Sequence, residues 1–230
     1  MEFGPNKPTA RLAGALYLAL AVGSGFAFVA LGKVVVPGDA AATLKNITGN
    51  ETLFRLAMVG DVLGQVAFAL LAPVLYALFR TVDRAQATLL AILILVPVPV
   101  ALGSVPQLYA LLPLRHVADP AIAAAQAATL LETRAGGILV AQVFWGLWLL
   151  PFGWLTWKSG FMPKILGVLL ALGSLGYLLD SFGKLLVAGG GMAAALVPAC
   201  LMVSTVAELA MVGWLLFVGV KVPHEGRQSP

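Results

Sequence analysis

The chain has 230 residues, 60% of them hydrophobic and 10% charged, with a mean hydropathy of +0.98. Soluble domains carry about 25% charged residues, so this composition excludes a water-soluble globule and describes an integral membrane protein. The net charge of +4 calls for no nucleic-acid partner, because basic residues gathered on the cytoplasmic side of a bilayer produce it and no run of four basic residues occurs.

A helix needs about 20 apolar residues to cross the hydrocarbon core. The chain divides into six such runs, from Thr9 to Leu31, Leu53 to Phe79, Ala85 to Leu112, Gly136 to Trp157, Ile165 to Ala188 and Ala193 to Val220. The expected fold is all-α, a single domain over residues 1–230 built as a bundle of six transmembrane helices. The first run contains an "ALA" triplet at Ala19 to Ala21 that resembles a signal-peptide cleavage site, but its apolar stretch continues to Ala30, so it reads as a retained helix.

The connection after the first span, "PGDAAATLKNITGNETL", is polar, and its two glycosylation-type triplets, Asn46-Ile47-Thr48 and Asn50-Glu51-Thr52, read as ordinary loop polarity. The second span carries Asp61 and Gln65. A short basic connection at Arg80 to Arg84 leads to the third span, whose "LVPVPVALGSVP" places Pro97, Pro99 and Pro106 inside the membrane. Those prolines remove backbone hydrogen bonds, so the helix is expected to kink or unwind there; an unwound turn would line a transporter site, a kink would be plain distortion. In the connection from Arg115 to Arg134, Asp119 can cap a helix with Pro120 at its first position, which predicts a short outer-surface helix near 119–133. Its Ala-rich face would lie on the bilayer or fold over the bundle.

Six spans put both termini on one side. Lys7, Arg11, Arg80, Arg84, Lys158, Lys164, Lys221 and Arg227 would share that side, and Lys33, Lys45, Arg55, Arg115, Arg134 and Lys184 the other. The short connections at 80–84 and 158–164 weigh most in the positive-inside rule, so the termini are expected in the cytoplasm. Trp154 and Trp157 then stand at the headgroup level, with Lys158, Gly160, Pro163 and Lys164 closing an antiparallel hairpin between the fourth and fifth spans.

The stretch "GLWLLPFGWLTWKSGFMPKILGVLLALGSLGYLLDSF" from Gly146 to Phe182, with "RLAG" at Arg11 to Gly14, "NETLFRLAMVGDVLGQ" at Asn50 to Gln65 and the late acidic Glu208, resembles domain-of-unknown-function family 4386. The resemblance covers nearly the whole chain and implies a bacterial or archaeal inner-membrane protein. It brings no activity, cofactor or site residue with it.

The polar residues inside the spans are Asp61, Gln65, Gln142, Asp180, Lys184, Ser204, Thr205 and Glu208. An ionisable side chain deep in a bilayer costs several kcal/mol unless paired or hydrated, so these face the bundle and are candidate functional groups. Asp180 and Lys184 lie one turn apart in the favourable order for a pair; the lysine either balances a site or snorkels to the headgroups. "DVLGQ" at Asp61 and "DSFGK" at Asp180 share an acid, a glycine at i+3 and a long polar side chain at i+4, on spans of opposite direction. An inverted three-plus-three repeat would produce that relation, with a polar chamber between the second and fifth spans. A competing register pairs "RLAGAL" at Arg11 with "KILGVL" at Lys164.

Three functional classes follow. A transporter would bind a small solute or cation at Asp61 and Asp180, with Gln65 beside them, Lys184 as countercharge and Glu208 as a proton site. A non-catalytic module would bind lipid or another membrane protein. An enzyme on a lipid-borne substrate would use the carboxylates as acid and base, but no activated nucleophile is visible and no catalytic residue is assigned. No cofactor or metal site is expected: His116 and His224 fall outside the spans, and Cys200 is the chain's one cysteine. Membrane lipids are the expected surroundings, and oligomeric state is not readable.

Overall fold

The structure, a computed structural model, describes residues 4–186 and 195–220. Asn6 opens the first helix, α1 (Lys7–Val34), by accepting a hydrogen bond from the Thr9 amide. A short α2 (Ala40–Gly49), capped by Asp39, precedes α3 (Glu51–Phe79). The third span is three consecutive pieces: α4 (Arg84–Leu95), α5 (Pro97–Gly103) and α6 (Val105–Leu114). The fourth is α7 (Pro120–Leu147) followed by α8 (Leu149–Ser159), and α9 (Lys164–Leu186) and α10 (Val197–Gly213) complete the bundle. A π-helical turn, Trp214–Val218, extends α10.

Among the described residues, six helices are long and apolar enough to cross a membrane and no strand occurs, so the protein is an all-α multi-pass bundle. The ends expected at Ala188 and Ala193, together with Lys221, His224 and Arg227, lie outside the described residues.

Two expectations about the connections need correction. The helix near 119–133 begins where its cap places it, with Asp119 accepting from the Ala121 amide at 2.8 Å. It does not end before the fourth span; it is the first half of α7, which runs unbroken from Pro120 to Leu147. Its Ala-rich face folds onto the bundle, with Ala123 and Ala127 buried. The polar connection before α3 also holds structure, since α2 buries Thr43, Leu44 and Ile47 and Asn46 donates to the Val34 carbonyl at 3.1 Å.

Proline explains the interruptions. Pro97, Pro99 and Pro106 have no N–H for the carbonyls of Leu93, Leu95 and Leu102, and Pro151 has none for Leu147. Val96 and Ser104, at the two breaks of the third span, nonetheless keep right-handed helical backbone. The span is therefore kinked rather than unwound.

In lipid no hydrophobic force drives helix against helix, so close approach through small residues carries the packing. α1 lies on α3, where a Cβ on Gly23 would stand 2.7 Å from the Gly60 carbonyl oxygen and one on Gly64 would overlap the Ser24 hydroxyl. α8 crosses α9 at Gly153 and Gly167, and α9 crosses α10 at Gly173 and Gly176. An aromatic core fills the centre: Trp148 meets Tyr17, Phe68 and Phe152 with ring centroids 5.5, 5.2 and 5.4 Å away.

We call the face holding the start of α1 proximal and the opposite one distal. The proximal face is tied by Lys158 donating to Asp83 at 3.0 Å, with Lys158 and Lys164 over the Trp154 and Trp157 rings at 6.0 and 5.4 Å. Gly160, at φ 70°, ends α8 in the left-handed conformation that glycine accepts readily. The distal face is tied by Glu51, which accepts from Arg55 at 2.8 Å and Arg115 at 2.7 Å.

Candidate functional site

The buried charges form three separate centres. In the first, Asp61 of α3 faces Arg134 of α7, with an Nη2 to Oδ2 separation of 4.0 Å. Asp61 is 8% exposed, and Gln65, one turn along α3, is 2% exposed. The guanidinium belongs to α7 because that helix continues across the expected loop, which carries Arg134 into the interior.

Buried side-chain atoms with no protein partner among the described residues include Arg134 Nε and Gln65 Oε1 on the two helices of this pair, Ser24 Oγ, Ser104 Oγ and Gln107 Oε1 on the first and third spans, and Thr156 Oγ1, Ser174 Oγ and Ser181 Oγ on α8 and α9. Ser24 lies against Gly64, next to Gln65 in the chain. Ser104 marks the second break of the third span, whose α5 and α6 pack against both α3 and α7. At 1.5 Å per residue, Ser24, Asp61 and Ser104 stand about 26, 27 and 30 Å from the proximal ends of their spans, so they share a layer. Most buried polar groups in proteins are paired, so unpaired atoms on α3, α7 and the spans packed against them make this part of the bundle a candidate polar site.

In the second centre, Asp180 Oδ2 accepts from Gln142 Nε2 on α7 and from Lys184 Nζ, each at 2.7 Å. The Lys184 side chain is 55% exposed, against 13% for Asp180. Asp180 thus braces α9 to α7, while Lys184 pairs with it from a more exposed position.

In the third, Glu208 of α10 accepts from Tyr17 of α1 at 2.7 Å through Oε2 and from Tyr177 of α9 at 2.9 Å through Oε1. Both oxygens are satisfied, and three spans converge on one carboxyl. If the carboxyl takes up a proton, one tyrosine hydroxyl can turn from donor to acceptor, so the centre can hold or release a proton without losing a bond.

These arrangements redraw the chamber expected between the second and fifth spans. Asp61 faces Arg134 of α7 and Asp180 accepts from Gln142 of the same helix, so their shared neighbour is the fourth span. An inverted repeat would give Asp61 a partner on the first span to match Gln142 on the fourth, but Arg134 is on the fourth as well. Ser204 donates to the Gly173 carbonyl across α9 and Thr205 to Leu201 within its own helix at 2.9 Å, so both serve packing. Arg134, Tyr17 and Tyr177 were not among the expected site residues. The signal that could have found the tyrosines is that a phenol in an apolar span needs an acceptor, and Glu208 needs donors.

Among the described residues no cluster of three or more His, Cys, Asp or Glu could hold a metal ion. Residues 12–219 match the family model described as Domain of unknown function (DUF4386), and the chain belongs to that family. No curated protein and no solved structure matches it.

Proposed function

We propose that this member of the family is a bacterial or archaeal inner-membrane protein, with both termini in the cytoplasm, that binds a small polar solute or cation in the distal half of its bundle and carries it across the membrane. The observation that supports this is the Asp61–Arg134 centre. Replacing a buried ion pair with apolar side chains is often neutral or stabilising, so a fold has little structural need for a pair this loose. An intramembrane pair beside unpaired hydroxyl and amide oxygens suits a ligand that supplies the missing bonds. Asp61 and Arg134 hold the solute, with buried Gln65 one turn from Asp61 on the same helix. Glu208, between its two tyrosines, is the site for a coupled proton, and Asp180 with Gln142 keeps the fourth and fifth spans in register.

The test is thermal unfolding in detergent against a panel of monovalent cations, amines, carboxylates, amino acids and sugars. The double variant Asp61→Asn/Arg134→Gln stays charge-balanced and should fold. At least one compound should raise the melting temperature of the wild type and not of the double variant, and the same compound should enter wild-type proteoliposomes alone. Stabilisation of wild type without flux would reduce the protein to a binding module; no difference between the two across the panel would overturn the reading. Orientation is checked in a Cys200→Ala background: cysteines at Asp83 and Ser159 should resist an impermeant thiol reagent on intact cells while one at Asn50 reacts. The reverse pattern would place the termini outside.

A further inference from the structure

We infer that the solute taken by the Asp61–Arg134 centre is a zwitterion of the α-amino-acid class, its carboxylate on Arg134 and its ammonium on Asp61. This rests on the reading of that centre as a solute site and narrows it to one chemistry. The first ground is geometric. At 4.0 Å the pair attracts but is too long to be a hydrogen bond, whereas charge-assisted bonds run at about 2.7–2.9 Å. Glu51 with Arg115 at 2.7 Å and Asp180 with Lys184 at 2.7 Å show what closed pairs look like in this same molecule. Asp61 and Arg134 are set apart, and each keeps bonding capacity.

The second ground is the inventory of unpaired atoms. Arg134 Nε is a buried donor without an acceptor; it shares with Nη2, the atom facing Asp61 at 4.0 Å, a guanidinium edge that matches the two oxygens of a carboxylate. Gln65 Oε1 and Gln107 Oε1 are acceptors without donors, and the Ser24 and Ser104 hydroxyls can do either. A partner that met Arg134 Nε and Gln65 Oε1 together would bring an oxyanion to the first and an N–H or O–H donor to the second. A simple carboxylate supplies the first and a simple amine the second.

The third ground is charge balance. Asp61 and Arg134 are already neutral as a pair, so a net anion or cation bound between them would leave one uncompensated charge buried among apolar helices. A zwitterion enters with no net charge and satisfies both groups at once. Its ammonium adds three donors, enough to serve Asp61 and an orphan glutamine oxygen.

The experiment uses three pools of matched carbon skeleton with purified wild-type protein in detergent: the common neutral α-amino acids, the corresponding carboxylates lacking the amino group, and the corresponding amines lacking the carboxyl. The amino-acid pool at saturation should raise the melting temperature by about 3 °C or more, and neither other pool should. Asp61→Asn, Arg134→Gln and the double variant should each lose the shift, the double variant serving where a single one fails to fold. If carboxylates or amines alone reproduce the shift and the double variant abolishes it, the zwitterion is wrong while the solute site stands. If no pool shifts the wild type, or the double variant keeps the shift, the zwitterion falls; the broader panel then decides the site itself.

Discussion

Glu208 shows how a single acidic residue in an apolar helix acquires its meaning only from its partners. The chain announces the carboxyl, but Tyr17 and Tyr177 come from the first and fifth spans, 191 and 31 residues away, and nothing local in sequence links them to it. Tyr17→Phe or Tyr177→Phe should each cost about 1–3 kcal/mol by leaving one Glu208 oxygen without a donor, read as a lowered melting temperature in detergent. Glu208→Gln keeps an acceptor and a group the other hydroxyl can bond, so it should cost less than either. A larger loss in the glutamine variant would mean that the charge itself holds the three spans together. At the proximal face, Asp83 accepts from Lys158 and from the Gln86 amide, and those two bonds hold its carboxyl below the ordinary value of 3.8. A carboxyl lowered on folding stabilises the protein above its unfolded value and loses that contribution as pH falls through the lowered one. The melting-temperature gap between wild type and Asp83→Asn should therefore be full at neutral pH and close below pH 3.8. A gap that persists unchanged in acid would contradict a contribution from the ionised carboxylate.

At the scale of helices, close glycine contacts and open glycine positions make opposite predictions. Gly23→Ala drives a Cβ into the Gly60 carbonyl and Gly153→Ala drives one to 2.5 Å from the Gly167 carbonyl, both against backbone that cannot turn aside. Each should lower stability by about 1–3 kcal/mol as the helices separate. Gly25, Gly136 and Gly137 meet nothing within 4 Å, so alanine there should be neutral or stabilise by about 0.5–1 kcal/mol through helix propensity. Equal melting temperatures for the Gly23 and Gly25 variants would contradict the α1–α3 contact. Span number and most span ends were legible from hydropathy because apolar length is set by the bilayer, and the cap at Asp119 was legible because capping is local. The third-span breaks were legible from Pro97, Pro99 and Pro106. What hydropathy misread was α7: Arg134 interrupts the apolar run, and composition alone treats an arginine as a boundary. The partner that admits it to the interior, Asp61, sits on another helix, and no window along the chain contains both.

Across the whole molecule, the fourth span is the member on which the charged centres converge. Arg134 on it takes Asp61, Gln142 on it takes Asp180, and Trp148 at its break supports Tyr17 beside Glu208. Of the expected site residues, Asp61 and Gln65 fall at one centre, Asp180 and Lys184 at a second, and Glu208 alone at a third. The sequence could identify them as polar residues in spans but could not group them, because grouping depends on which helices face α7. The central claim is that the Asp61–Arg134 layer is a hydrated polar site rather than a sealed electrostatic clasp. Single cysteines in the Cys200→Ala protein test it most directly: Gln65→Cys and Ser104→Cys inside the layer, and Leu63→Cys, 61% exposed on the lipid side of α3, as reference. A thiol must ionise in contact with water to react, so a small water-soluble methanethiosulfonate should modify the two interior cysteines roughly tenfold faster than the lipid-facing one. Interior rates no faster than that of Leu63→Cys would contradict the site and leave Asp61 and Arg134 as structural polarity.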